Sequence, residues 1–153
     1  MFYHLTRQPL EQVLPTLLHK TLERGWRALV LCGNPLRLRP LSDAIWSWRE
    51  DSFIAHGTPE DGDPARQPVL LLPEERPAAE AAVNGADVLF CVEGARPTQA
   101  DLAHFRRVCV LFADADAAGK ERMRALWREL KEADGLALTY WQQDMRGGWE
   151  RKA

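Results

Sequence analysis

The sequence predicts an α/β fold, in which a mostly parallel β-sheet carries helices on both faces. Apolar runs of strand length alternate along the chain with stretches in which apolar residues recur every three to four positions, the period of an amphipathic helix. The composition is ordinary for a globular protein, with 46% hydrophobic and 27% charged residues. At 153 residues the chain is long enough to bury a core of its own, so we expect a single domain over residues 1–153.

The first half of the chain begins with a strand and a long helix. An apolar run at residues 2–5 is followed by leucines and a valine at helical spacing, and this pattern ends at Gly25. Pro15 should remove one backbone hydrogen bond and kink the helix, unless the regular helix begins only there. The further elements expected in this half are a strand at 26–32, a helix at about 36–48, a loop at 57–68 and a strand at 69–72.

The second half repeats the alternation and contains the longest helical pattern. Thr98 and Asp101 have the spacing of a capping box, which predicts a short helix that continues to about Phe105. Residues 115–133 form the longest uninterrupted helical pattern, and Gly135 closes it. The strands expected in this half lie at residues 87–92, 108–112 and 136–141.

Charge and hydropathy argue against two classes of partner. The formal net charge is −2 and the isoelectric point is about 6.1, so the whole molecule has no long-range attraction for phosphate, and any basic function must be local. The N-terminus lacks the basic-then-apolar order of a signal peptide, and no apolar run approaches the roughly 20 residues that span a bilayer. We therefore expect a cytoplasmic protein without membrane contact.

Neither the cysteines nor the histidines have the spacing of a metal site. Cys32, Cys91 and Cys109 each lie inside an apolar run, and we expect buried thiols without a redox or ligand role. The four histidines show no helical metal pair, and no cysteine lies at ligand spacing from them. The sequence therefore predicts no metal and no cofactor.

The strand-to-helix turns carry no phosphate-binding fingerprint. The best candidate, Gly33-Asn34-Pro35, has one glycine followed by proline and matches neither the dinucleotide motif nor the lysine-bearing phosphate loop. Asp114 and Asp116 follow the strand at 108–112, at the edge where open α/β sheets bind ligands, and two carboxylates there suit magnesium. They also suit the start of a helix. A small nucleotide- or metal-dependent enzyme that uses these two aspartates is the alternative function.

The helix at 115–133 combines a row of cations with an indole. Four residues should share the side that packs on the sheet: Met123, Leu126, Leu130 and Ala133. A neighbouring side carries Lys120, Arg124, Arg128 and Lys131, with Trp127 at the border. Like charges four residues apart destabilise a helix slightly, and cations beside a large aromatic suit an acidic peptide with an apolar end. A solvated charged face is the other interpretation.

Aromatic residues accumulate in a second region. Trp46, Trp48 and Phe53 surround the end of the second helix and a polar turn. They either cap the core or form a protein interface, where tryptophan and phenylalanine are common anchors.

Two segments of this region resemble a signature of the chi subunit of bacterial DNA polymerase III. The segment Leu41-Ser42-Asp43-Ala44-Ile45-Trp46, followed by Ser52-Phe53-Ile54-Ala55-His56-Gly57, is similar to a Leu-Asp-x-x-Leu-Trp helix end that precedes Ser-Phe-x-Pro-His in that family. The opening Phe2-Tyr3-His4-Leu5, the long first helix, the arginine-rich penultimate helix and the length also fit. The chain departs from the pattern at Ala55, where proline is usual, and at Ser42-Asp43.

The resemblance implies a three-layer, Rossmann-like domain with no phosphate-binding loop and no catalytic activity of its own, in the holoenzyme of a DNA-directed DNA polymerase, a nucleotidyltransferase. Chi subunits bind the acidic, phenylalanine-ended C-terminal tail of single-stranded-DNA-binding protein through the penultimate helix, so nucleic acid would be contacted only indirectly. The positions that match are Lys120, Arg124 and Trp127, with Arg128 adjacent and Ala113 near the apolar wall. The psi subunit, which leads to the clamp loader, would bind at a surface that includes Trp46, Trp48 and Phe53.

Overall fold

The structure is a computed structural model that describes residues 2–6, 8–47, 56–58, 64–74, 84–113, 117–131, 138–143, 146 and 148–152. The strands in chain order are β1 (Phe2–Leu5), β2 (Ala28–Cys32), β3 (His56–Gly57), β4 (Val69–Pro73), β5 (Val88–Val92), β6 (Arg107–Ala113), β7 (Tyr140–Gln143) and β8 (Trp149–Arg151). The α-helices are α1 (Leu10–Glu23), α2 (Leu38–Trp46), α3 (Gln99–His104) and α4 (Ala117–Lys131). No helix in this part of the chain is long and apolar enough to cross a membrane.

The described strands form an eight-stranded sheet in the order β3-β4-β2-β5-β6-β1-β7-β8. Every neighbouring pair is parallel except β7 and β8, which are antiparallel. Parallel strands of one sheet need crossover connections; α1 lies in the connection from β1 to β2, and α3 lies in the one between the neighbouring strands β5 and β6. The predicted fold class, a three-layer Rossmann-like α/β fold, is confirmed.

A separate apolar cluster covers each face of the sheet. Along β5, Val88 and Phe90 point to the face covered by α1 and α2, whereas Leu89 and Cys91 point to the face covered by α3 and α4. This alternation follows from the two-residue period of a strand. Both faces of the central strands are therefore buried from solvent, which explains why their sequences are continuously apolar.

Helix α1 runs through Pro15, which is buried within it. The possibility that the regular helix begins only at Pro15 is therefore wrong. The predicted helix at 36–48 begins with a 3₁₀ turn, Pro35–Arg37, in which the Asn34 side chain accepts a hydrogen bond from the Leu36 amide at 3.1 Å, and continues as α2 to Trp46. Pro40 fits in the first turn of α2, because the amide that proline lacks has no partner inside a helix at that position.

The remaining differences from prediction lie at short strands and strand ends. Strands β3 and β8 were not predicted, because two or three residues are too few to give a periodic pattern, and β3 occupies the start of the predicted loop at 57–68. The last predicted strand, at 136–141, is β7, which begins only at Tyr140. Strand β2 begins at Ala28 rather than at position 26.

The prediction of buried thiols is confirmed. Cys32, Cys91 and Cys109 are free and buried. Burial raises the pKa of the Cys109 thiol to about 11, and burial is also the largest cause of the raised pKa values of Cys32 and Cys91. The three thiols are neutral at pH 7 and pack as small hydrophobic groups.

The capping box of α3 is confirmed and gives a test of local stability. The Thr98 hydroxyl accepts a hydrogen bond from the Asp101 amide at 3.2 Å, and the Asp101 carboxylate accepts one from the Thr98 amide at 2.8 Å. We expect Thr98→Ala to lower the free energy of unfolding by about 1 kcal/mol, as measured by urea denaturation. Thr16→Ala is the control, since the Thr16 hydroxyl bonds only within α1, to the Gln12 carbonyl. Equal stability of the two variants would contradict a role for the cap.

Candidate functional site

Helix α4 presents the apolar face that its sequence predicted. Met123 and Leu126 are 2% exposed and Leu130 is 6% exposed, and all three belong to the cluster on one face of the sheet. Ala133, the fourth predicted member, lies outside the described residues. The cations at positions 124, 128 and 131 are exposed, and Trp127 is half-buried between the two sides. The packing face of α4 therefore fixes which of its side chains face solvent.

A cavity of about 210 Å³ lies beside α4. Its lining residues are Arg124, Trp127, Arg128 and Tyr140. Tyr140 begins β7 and pairs with Phe2 of β1, which brings its ring against the helix. The rings of Trp127 and Tyr140 meet edge to face, with centroids 5.6 Å apart. The structure thus brings together three of the predicted residues and adds an aromatic wall from a neighbouring strand. We call this the α4 cavity.

The two arginines of the α4 cavity differ in their partners. Arg124 Nη1 lies 2.9 Å from Glu121 Oε1, and both side chains are more than half exposed. Arg128 Nε donates to the Arg124 carbonyl at 3.3 Å, and in the part of the chain that the structure describes no carboxylate pairs with Arg128. An exposed ion pair contributes at most about 1 kcal/mol, so an incoming carboxylate can replace Glu121.

Trp127 belongs both to the cavity and to the edge of the core. Its indole packs edge-on against Phe2, with ring centroids 5.3 Å apart, and Phe2 is 1% exposed. One side of the indole therefore helps to cover the sheet while the other lines the α4 cavity. A substitution at this position changes stability as well as the cavity surface.

Lys120 and Ala113 do not line the α4 cavity. Lys120 lies about two turns before Trp127 on the same helix. Ala113 is the exposed last residue of β6 and lines a second cavity, of about 320 Å³, at the carboxyl edge of the sheet. Arg122 and Met123 of α4 line that second cavity as well.

The carboxyl-edge cavity occupies the position where an enzyme of this fold class would bind its ligand. Asp114 and Asp116, on which the alternative function depends, lie outside the described residues. Packing alone requires glycine at position 33, without any phosphate ligand, because a Cβ atom there would lie 2.5 Å from the Glu93 carbonyl oxygen and 2.6 Å from the Ala95 amide nitrogen. Across the described ranges no cluster of three or more His, Cys, Asp or Glu residues is arranged to hold a metal.

The second predicted surface is described only in part. Trp46, the last residue of α2, is 46% exposed and lies against the His56 ring with centroids 4.2 Å apart. His56 is buried and hydrogen-bonds to the hydroxyl and the carbonyl of Ser42, each at 3.1 Å. Trp48 and Phe53 lie outside the described residues. Ser42, Trp46 and His56 belong to the two segments that resemble the chi signature, and in the structure both Ser42 and Trp46 contact His56.

A comparison with protein families identifies the chain's relatives. The family described as DNA polymerase III chi subunit matches residues 1–139. This chain belongs to the DNA polymerase III chi subunit family. No curated protein matches it significantly. Family membership makes the chain an accessory subunit of the replicative polymerase.

Tyr140 and the arginines around Trp26 do not stand out in the sequence of this chi-family chain. Tyr140 falls in the strand predicted at 136–141, and the alternation of β7 places it on the α4 side and Trp141 on the α1 side. Arginines surround Trp26 at the amino edge of the sheet. The sequence shows only that Trp26 precedes one strand and that Arg106 and Arg107 lie at the start of another. Their meeting depends on the strand order, in which β2 and β6 both flank β5.

The packing of Trp127 gives the second prediction. We expect Trp127→Ala to lower the free energy of unfolding by about 2 kcal/mol, less than for a fully buried tryptophan, because only one side of the ring contacts the core. Trp127→Phe should retain most of this contact with Phe2 and Tyr140. Urea denaturation of both variants measures the difference, with the exposed Lys131→Ala as the control on the same helix. A loss as small as that of the control would show that the indole does not help to cover the sheet.

Proposed function

We propose that this chi subunit binds the acidic C-terminal tail of single-stranded-DNA-binding protein in the α4 cavity and links that protein to the clamp-loader and polymerase assembly. The observation that supports this best is the combination of two exposed guanidinium groups, Arg124 and Arg128, with the Trp127 and Tyr140 rings in one cavity. In this role the subunit is an adaptor without chemistry of its own.

The chemistry of the tail suits the lining of the cavity. A terminal phenylalanine ring would pack against Trp127 and Tyr140, which already meet edge to face and leave an apolar corner. The carboxylates of the tail would pair with Arg124 and Arg128, and guanidinium groups bind carboxylates with two parallel hydrogen bonds. Lys120, two turns earlier, would meet a carboxylate farther along the tail. Ala113 would not contact the tail, because it lines the carboxyl-edge cavity.

Tethering explains how a small exposed site can be effective. A single tail held by two exposed arginines and one aromatic corner binds with modest affinity, because each exposed ion pair contributes little. Several tails presented together on coated DNA raise the effective concentration without any new contact. Modest affinity for one tail is therefore compatible with stable attachment to the replication machinery.

The tail proposal is tested by titrating a labelled peptide that ends in Asp-Asp-x-Pro-Phe. We expect saturable binding that weakens at high salt, and a loss of up to about fivefold for Arg124→Ala and for Arg128→Ala, because an exposed ion pair contributes at most about 1 kcal/mol. Trp127→Phe should weaken binding less than Trp127→Ala. Arg24→Ala is the matched control, since Arg24 follows α1 and does not line the α4 cavity.

Two results would count against this assignment. If the peptide does not bind at low salt, the adaptor function fails. If Arg24→Ala weakens binding while Arg124→Ala and Arg128→Ala do not, the tail binds elsewhere on the subunit.

We also propose that the surface around Trp46, Trp48 and Phe53 binds the psi subunit or another second partner. Its support is the 46% exposure of Trp46, since tryptophans are common anchors of protein interfaces, together with the family resemblance of this segment. We expect Trp46→Ala to reduce binding of purified psi at least about tenfold and to leave the affinity for the tail peptide unchanged. Full binding of psi by Trp46→Ala would remove this residue from the interface.

A further inference from the structure

Three arginines surround one tryptophan at the amino edge of the sheet. The guanidinium carbons of Arg24, Arg106 and Arg107 lie 5.3, 5.4 and 5.3 Å from the centre of the Trp26 ring. Arg24 follows the end of α1, Trp26 precedes β2, and Arg107 begins β6. Three elements therefore converge to place three positive charges around a single half-buried ring.

These charges are not neutralised within the described part of the chain. No carboxylate there forms an ion pair with Arg24, Arg106 or Arg107. The neighbouring acidic residues have other partners, since Glu23 lies 2.9 Å from His19 Nε2 and Asp87 accepts a hydrogen bond from the Arg27 amide at 3.1 Å. Like charges held this close repel one another, and a bound anion would relieve that repulsion. The three arginines therefore form a local excess of positive charge, which suits an anionic ligand.

A cavity of about 250 Å³ opens beside the cluster, between the C-terminal half of α1 and the sheet. Arg24, Trp26 and Arg107 line one part of it. Tyr3, Trp141 and Trp149 form an aromatic wall, in which the rings of Tyr3 and Trp149 lie 5.0 Å apart. Lys20 and Thr21 add polar groups from α1. We call this the Trp26 cavity.

The lining selects a ligand that has a flat ring, a polar ring edge and more than one negative charge nearby. Guanidinium groups bind phosphate oxygens through paired hydrogen bonds, and aromatic walls stack nucleobases without regard to sequence. A nucleobase has a polar edge that the Lys20 ammonium can contact, whereas the phenyl ring that ends an acidic peptide has none. A base can enter such a cavity only when it is unpaired.

We propose that the Trp26 cavity binds one unpaired nucleotide of single-stranded DNA, with the base against the aromatic wall and the flanking phosphates on Arg24, Arg106 and Arg107. This goes beyond the tail-binding function and does not depend on it. The tail site lies on the α4 face of the sheet, whereas the Trp26 cavity lies on the α1 face. The subunit would thus contact the DNA strand directly as well as the protein that coats it.

The experiment measures binding of a 5′-labelled oligothymidylate of about ten nucleotides by fluorescence anisotropy at low salt, with no other protein present. We expect saturable binding. A plot of the logarithm of the association constant against the logarithm of salt concentration should have a slope of about −1.4 to −2.1, since each of two to three contacted phosphates on a single strand contributes about −0.7. The double variant R24E/R106E should bind at least about tenfold more weakly, because two exposed phosphate contacts become repulsive. The pair R24K/R106K, which keeps the charges but loses the paired hydrogen bonds, should have an affinity between those of the parent and R24E/R106E. Arg128→Ala should bind as the parent does, and ultraviolet crosslinking should label the peptides that contain Trp26 or Trp149.

Three results would overturn the proposal. The first is no saturable binding at low salt, and the second is equal affinity of the parent chain and R24E/R106E. The third is a duplex of the same sequence that binds as tightly as the single strand, which would show that phosphates alone are recognised. The result for the DNA strand does not affect the result of the peptide titration. Either proposal can therefore fail while the other stands.

Discussion

Burial of the parallel sheet on both faces is the constraint on which the rest of this structure depends. Strands such as β5 place alternate apolar side chains on opposite faces, and each fully buried one stabilises the fold by about 1.5–3 kcal/mol. Because helices must cover both faces, ligands can reach only the edges of the sheet and the outward sides of the helices. The three cavities described above lie in such places: the carboxyl edge, the amino edge and the side of α4.

The aromatic part of the α4 cavity is held in place by the pairing of strands β1 and β7. Phe2 of β1 stands opposite Tyr140 of β7, and both rings lie on the face that α4 covers. The Trp127 indole meets both rings edge to face, so the aromatic corner is held by the sheet itself rather than by the ligand. A preformed corner needs little ordering when a peptide binds, which favours affinity in a small site. The arginines are different: they are exposed, and they acquire a fixed geometry only with a partner.

The sequence predicted the fold class and the faces of α4 because both follow from short-range periodicity. The burial of Met123 and Leu126 and the exposure of Arg124 are set by the turn of the helix alone. The wall supplied by Tyr140 could not be predicted in this way, since it depends on β7 lying next to β1. Nor could the arginines around Trp26, because their meeting requires that β2 and β6 both flank β5. Strand order is a long-range property, and hydrophobic periodicity carries no information about it.

The distribution of charge shows how a chain with an acidic balance can still carry two local groups of cations. The cations of α4 and those around Trp26 lie on opposite faces of the sheet, and exposed charges farther apart than about 10 Å are largely screened in solution at ordinary salt. Each group of arginines therefore acts as a separate local field, and the net charge of −2 says little about either. A protein tail at one site and a DNA strand at the other would not compete for the same side chains. Simultaneous binding of the tail and the strand would depend instead on the length of the linker that precedes the tail. This linker must reach around the subunit while the strand is bound, because the effective concentration falls to near zero when a linker cannot span two sites.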